Sequence, residues 1–504
     1  MNTTISYDKH GWRLALAGVL AALWLTACGG GDPVSAPTAL TFSPAPAQAV
    51  AQLPAAVGQT QTGAPALAAA PSTGEFKVNT TAGSSQSNPV IARLQNGNHV
   101  VVWKSEQTTP TAGAPEGVQG VCTQRYGADG KALGTQACLA SDVALSSAPA
   151  VAALADGGYL LAWAKPENNS YGSNANIWAQ RFDGNGTAIA SVQQINSVTR
   201  FGASLSAAGL ADGGYVVAWT SSKSTLNASA NIFARRFGAD GVPCPCGVER
   251  QGNTFSGLPA DGASQSESVV AALKDGGYVV IWVSTNQNGF QGGAVYAQRY
   301  GRDHNGGPVG PETLLTRNPP LGQGARTPAV ASQANGGYVL AYQLSAPIPQ
   351  PQVYLSRVVV QPFAADGAAL AAQSTVDPLV PGEPVRICTS SRVAPNTPCP
   401  PFQSSPAVAA LDDGSFVVAW TSDKSTINYN ESYVRRYSGE GAPLGAPTRF
   451  TTLSANPALS PTSGGGFIVA FEALDPNRPP AFPRTVGINA RYFDGKAFRD
   501  DAGP

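Results

Sequence analysis

The chain has 504 residues, of which 12% are charged, and its 31 basic and 31 acidic side chains cancel to a formal net charge of zero. Charge at about half the usual quarter, with no basic stripe, argues against a nucleic-acid partner. Only three histidines are present, which leaves little material for a Ser-His-Asp triad or a His-rich metal site.

At the N-terminus, Lys9 and Arg13 precede an apolar stretch from Leu14 to Leu25. It is too short to span a bilayer as a helix but suits a secretory h-region. Leu25-Thr26-Ala27-Cys28 resembles the lipobox of bacterial lipoproteins. That resemblance implies a signal peptide of residues 1–27, cleavage before Cys28, and lipidation of Cys28 by diacylglycerol and a palmitate-type acyl group. Gly29 follows the cysteine in place of the Asp linked to inner-membrane retention. The expected destination is therefore the bacterial outer membrane, lipid-anchored and facing the periplasm or the cell surface. Residues 28–74 are rich in Ala, Pro, Gly, Gln, Thr and Ser with almost no charge. Such a segment buries too little apolar area to order itself, and as a coil it spans about 35–40 Å. It reads as a tether.

Seven copies of one pattern follow. They end at Trp103, Trp163, Trp219, Trp282, Tyr342, Trp420 and Phe471, and we number the units 1 to 7 in that order. Each begins as a hairpin: an apolar run, an Asp-Gly or Asn-Gly pair, and a second apolar run closed by the aromatic residue. Asp156-Gly157, Asp212-Gly213, Asp275-Gly276, Asn335-Gly336 and Asp413-Gly414 share the turn slot, which reads as a tight two-residue turn needing positive φ. A third strand follows a variable connection, as in Ile177 to Gly186, Ile232 to Gly241 and Val295 to Asp303, and a fourth comes after another turn, as in Val192 to Asn196. The second strands, such as Tyr-Val-Val-Ala-Trp ending at Trp219, are apolar at every position, as expected where neighbouring sheets cover both faces.

Unit 7 runs through a third strand, Gly487 to Phe493, and has no convincing fourth. Glu75 to Thr80, ahead of unit 1, reads as a fourth strand with nothing before it. Placing one beside the other closes a ring and leaves no long sheet edge unpaired. The expected fold is all-β: a seven-bladed β-propeller of four-stranded blades over residues 75–497, closed by an N-terminal strand, preceded by the tether and followed by a short tail at 498–504. A linear β-solenoid is the rival, and it leaves the matching first and last strands unexplained.

Besides Cys28, the cysteines fall into three local couples: Cys122 with Cys138, Cys244 with Cys246, and Cys388 with Cys399. In an oxidising compartment these read as disulfides, the first stapling the third strand of blade 1 to its fourth. For Cys244 and Cys246 the small ring leaves the pairing open. A recurrent arginine at Arg125, Arg181, Arg236, Arg299, Arg436 and Arg491 is expected to bond turn carbonyls or the hairpin Asp, and blade 5 has Pro362 there instead. Asp129, Asp240 and Asp366 stand in Gly-Ala-Asp-Gly or Ala-Ala-Asp-Gly turns, and one acid per turn suits a turn better than a calcium loop. His10 lies in the signal, His99 in the tyrosine slot of blade 1 and His304 in a turn. No metal or cofactor and no catalytic residue is expected from any motif.

The repeat Pro-x-Val-Ala-x-Leu-x-Asp-Gly-Gly-Tyr-Val-Val-Ala-Trp, followed by Ala-Gln-Arg-Phe, resembles a tandem repeat of bacterial secreted and surface proteins often found beside RTX nonapeptides, which this chain lacks. The resemblance implies display or binding and names no substrate. Sialidase-like propellers share only the architecture, since their Asp boxes and arginine trio have no counterpart here. In a propeller the first and third turns of each blade share one face. Here those are short, and the opposite connections are long and varied, where binding residues concentrate. The expected binding set is Tyr171, Lys223, Asn227, Phe290, Lys424, Asn428 and Tyr429. The expected function is a noncatalytic, monomeric binding or scaffold module for protein or polysaccharide, attached to the membrane by its lipid. The alternative is a glycan-active hydrolase or lyase using carboxylates on that face.

Overall fold

Each aromatic marker lies in the second strand of a four-stranded antiparallel sheet, and seven such sheets form the body of the molecule. The computed structural model describes residues 74–80, 84–107, 119–139, 147–166, 175–197, 201–222, 230–244, 249–254, 264–287, 292–302, 307–316, 324–347, 354–377, 386–387, 398–399, 402–423, 430–474 and 485–498. All belong to the unit Leu67–Pro504.

The first strands are Ser84–Arg93, Ala150–Ala153, Phe201–Gly209, Ser264–Ala272, Gly324–Ser332, Gln403–Ala410 and Ser454–Pro461. Each first strand touches those of the blades on either side, and blade 7 touches blade 1. These strands therefore surround the axis. The ring closes as the sequence requires: Phe76–Lys77 pairs with the third strand of blade 7, Thr485–Phe493, with Phe76 opposite Ala490 and Lys77 opposite Asn489. The closing strand is shorter than the six residues read from sequence, but Val78 extends the pairing through its N–H to the Ile488 carbonyl. This closure excludes the solenoid.

The core is seven interblade layers, one per blade interface. Alternate residues of one strand enter different layers: Val217 and Trp219 face blade 2, while Val216 and Ala218 face blade 4. Burial on both sides explains the unbroken apolar runs. A second device repeats at the head of each second strand. In blades 2 to 7 its first aromatic stacks on the last aromatic of the third strand, as in Tyr215 with Phe237 (4.7 Å, 11°) and Tyr159 with Phe182 (5.0 Å, 9°). Burial pushes the Tyr159 and Tyr215 hydroxyls up to about 12.

The hairpin turns differ from the two-residue form read from sequence. In blade 2, Gly157 N–H bonds the Leu154 carbonyl and Leu154 N–H bonds the Gly158 carbonyl. Only Gly157 takes positive φ (87°). Asp156 instead accepts the Gly158 N–H at 2.9 Å, the Asx geometry of a longer turn. The second glycine has its own reason: a Cβ on Gly158 would lie 2.2 Å from the Phe182 carbonyl oxygen.

Arginines lock blade to blade. Arg181 pairs with Asp156 (2.7 Å), Arg236 with Asp212 (2.5 Å) and Arg436 with Asp413 (2.7 Å), and Arg299 pairs with Asp275. The same guanidiniums donate to the next blade, Arg181 to Ala239 O and Arg436 to Gly495 O. Arg491 is out of register with this set. It precedes the terminal aromatic by two residues and donates to Phe450 O of blade 6, matching Arg235 on Ile195 O and Arg435 on Val376 O. Asp129, Asp240 and Asp366 each accept the N–H two residues on, as turn formers do.

Candidate functional site

Near the start of the first strand, on the side of the long connections, one residue breaks the ladder in all blades but the second. Six blades carry a register shift there, and the residue inside it is left-handed: Asn88 (φ 52°), Ser204 (47°), Glu267 (56°), Thr327 (47°), Ser405 (50°) and Asn456 (46°). They are six of the eight non-glycine residues with positive φ among the described residues. All stand fifteen positions before the aromatic marker of their blade. Blade 2 has Ala148 in this slot, ahead of a shorter first strand. A left-handed L-residue costs about 1–2 kcal/mol, and such outliers concentrate at functional sites. Because the first strands surround the axis, the six form a polar collar around it.

Collar residues of neighbouring blades bond one another. Thr327 N–H donates to the Glu267 carboxylate. Asn88 N–H donates to Glu472 Oε1 at 2.7 Å, and Asn456 Nδ2 donates to the same oxygen at 2.9 Å. Ser405 Oγ donates to Asn456 Oδ1 at 2.9 Å. Glu472 is buried and Glu267 half-buried, so the collar holds one carboxylate from blade 7 and one from blade 4. Ser268, next to Glu267, is buried, and its hydroxyl makes no hydrogen bond among the described residues. Arg326, beside Thr327, is exposed.

Three other places were compared with the collar. In blade 6, buried Glu431 accepts from Arg449 Nη1 and from the Tyr433 hydroxyl, each at 2.7 Å. Burial, then the bond to Glu431, pushes the Tyr433 hydroxyl up. This cluster ties the third strand to the fourth, away from the axis. A depression of about 510 Å³ lies at the short-turn end, lined by hairpins of blades 1 to 5 including Ala153, Gly209, Leu273 and Lys274. Its lining is mostly small and apolar. A groove of about 330 Å³ follows the closure seam between Phe76 and Gln136. Among the described residues no three His, Cys, Asp or Glu side chains gather as metal ligands.

All seven residues expected from sequence to bind, Tyr171, Lys223, Asn227, Phe290, Lys424, Asn428 and Tyr429, lie outside the described residues, as do Cys28, Cys246, Cys388 and His304. The Cys122–Cys138 disulfide forms, joining directly opposite residues of the third and fourth strands. Cys244 starts the connection after its turn, and Cys399 lies opposite Arg386 in a two-stranded ladder. His99 is buried with Nε2 donating to Pro461 O at 3.0 Å. Burial lowers its pKa below 6.5.

The collar itself was missed from sequence, although a signal was present. A polar residue precedes proline at Asn88-Pro89, Thr327-Pro328, Ser405-Pro406 and Asn456-Pro457, in one repeat slot.

The sequence matches no protein-family model and no curated protein. Among solved structures it is similar to an α-L-arabinanase of Penicillium chrysogenum complexed with arabinobiose, at 14% identity over 84% of this chain and 99% of that one, with a TM-score of 0.44. It is also similar to a protein of unknown function from Dyadobacter fermentans (10% identity, 84% and 98% covered, TM-score 0.44). A third is a polysaccharide lyase of the ulvan lyase family PL25 (10% identity, 84% and 96% covered, TM-score 0.48). These values carry no inference about activity.

Proposed function

We propose that this propeller recognises a polysaccharide at the bacterial envelope, with the axial collar and the surrounding long connections as its binding surface and a lipid on Cys28 as its attachment to the outer membrane. The observation that carries this reading is the collar: six strained polar residues in one register, on the face from which the connections 108–118, 167–174, 223–229, 288–291, 348–353, 424–429 and 475–484 leave. Amides and hydroxyls both donate and accept, as sugar hydroxyls require. The connections add Asn168, Asn169, Asn227 and Asn428 together with the aromatic Tyr171, Phe290 and Tyr429, and aromatic rings supply flat apolar contact with a polar handle. A charged fraction of 12% and a formal net charge of zero fit a hydroxyl-rich ligand better than a charged protein surface.

Cleavage of the polysaccharide is the second reading, favoured by Glu267 and Glu472 at the same collar. Glycoside hydrolysis uses two carboxylates about 5–10 Å apart.

The test is retention of a soluble form without the lipidated cysteine, residues 29–504, on immobilised polysaccharides and peptidoglycan, with released products assayed in the same wells. Retention without release supports recognition. Release that disappears in Glu267→Gln or Glu472→Gln moves the assignment to cleavage, and no retention on any polymer removes both. Cys28→Ser in the full chain should shift the protein from the membrane fraction to the soluble one; unchanged membrane association would contradict the lipid anchor.

A further inference from the structure

We propose that the polysaccharide is acidic, and that Arg326 binds the carboxylate of a uronate residue at the collar while the open oxygen of Glu267 accepts one of its hydroxyls. The inference rests on the reading of the collar as a polysaccharide site and names the class of sugar.

Seven residues share the slot just before the left-handed one: Ser87, Ser147, Ala203, Ser266, Arg326, Ser404 and Ala455. Six are small. Arg326 is the exception, and it sits on a first strand, Gly324–Ser332, flanked by its own second strand and by the first strands of blades 4 and 6. A side chain exposed from that position has only the axial opening and the loop-side mouth to face. Among the described residues, Arg326 has no carboxylate, carbonyl or aromatic partner, whereas Arg93, Arg181, Arg236, Arg299, Arg436 and Arg449 are each paired. Glu267, on the adjacent blade, is not its partner. One Glu267 oxygen accepts the Thr327 N–H, and the other accepts nothing from the described residues.

Two opposite charges thus stand on neighbouring blades, unbonded to each other, while Glu472, the other carboxylate of the collar, is buried and already accepts from Asn88 and Asn456. A guanidinium presents planar paired donors that match a carboxylate. A carboxylate oxygen accepts from a hydroxyl. A neutral sugar would satisfy Glu267 but offer Arg326 only uncharged hydroxyl acceptors, which make weaker bonds than a carboxylate. A bare sulfate or phosphate would satisfy Arg326 and be repelled by Glu267. A uronate carries both a carboxylate and hydroxyls on one ring, so it satisfies both groups together.

The experiment is calorimetric titration of a soluble form without the lipidated cysteine, residues 29–504, with polygalacturonate, alginate and hyaluronate, each beside its carboxyl-reduced counterpart and beside inorganic sulfate. At least one uronate polymer should bind, and its reduced form should bind more weakly by about 10- to 100-fold, the range for a hydrogen bond to a charged group. Arg326→Ala should remove that difference at an unchanged melting temperature, because the side chain is exposed and unpaired. Arg326→Lys should restore part of it. Glu267→Gln should weaken the uronate and strengthen sulfate. If native and reduced polymers bind equally and Arg326→Ala is silent, the assignment of Arg326 falls while polysaccharide recognition stands. If no polymer binds in either form, both fall.

Discussion

Ser204 shows most simply what the collar costs. It is left-handed at φ 47°, and its side chain makes no hydrogen bond among the described residues. Glycine adopts that conformation freely, so Ser204→Gly should stabilise the fold by about 1 kcal/mol, read as a higher midpoint in chemical denaturation. The same variant should weaken polysaccharide binding; a variant more stable and equally active would show that the strain serves no ligand. His99 gives a pH prediction. Burial lowers its folded pKa, so the unfolded chain binds the proton more readily and stability rises with pH. The contribution is complete above about 6.5, the unfolded value, and is lost as pH falls through the folded value. His99→Tyr, matching the slot in Tyr159 and Tyr215, should flatten the acid side of the melting-temperature profile. An unchanged acid slope would contradict the buried neutral imidazole.

At the scale of the strand and the blade, sequence was most informative where packing is the sole constraint. Apolar runs such as Tyr278 to Trp282 are buried on both faces, and their lack of alternation was legible because burial on one face would have left polar residues between. The hairpin glycines were legible too, but the turn type was not. Asp-Gly serves both a two-residue turn and the longer one found, and the choice depends on whether the Asp side chain folds back onto a backbone N–H, as Asp156 does. Arg491 stands two residues before the terminal aromatic and the other grouped arginines stand one before it, and a one-residue slip changes the face. Arg236 is the best test of the interblade lock. It is 3% exposed, pairs with Asp212 and donates to Arg302 O of blade 4. Arg236→Ala leaves an acid and a carbonyl without their donor and should cost about 2–3 kcal/mol of unfolding free energy. A loss under about 0.5 kcal/mol, the range of ordinary surface changes, would mean that the stacked aromatics and apolar layers hold the blades without it.

For the molecule as a whole, the ring was legible from its first and last units, since closure explains both a fourth strand before unit 1 and a unit 7 without a fourth strand of its own. The site was not. The long connections vary in sequence and so stand out, whereas the collar is built into the repeat, where a polar residue before proline marks four of its positions and the backbone φ marks all six. Sequence shows Asn88, Ser204, Glu267, Thr327, Ser405 and Asn456 as polar residues in one slot of six of the seven units. The fold brings them around one axis and strains each in the same way. The measurement that tests this most directly is amide hydrogen exchange of the mature chain with and without the polysaccharide it retains. Slowed exchange around Asn88, Glu267, Thr327, Ser405 and Asn456, with the short turns such as Leu154 to Gly158 unchanged, is the predicted result. Protection confined to the short-turn face and its depression would contradict it and transfer the site to the opposite end of the axis.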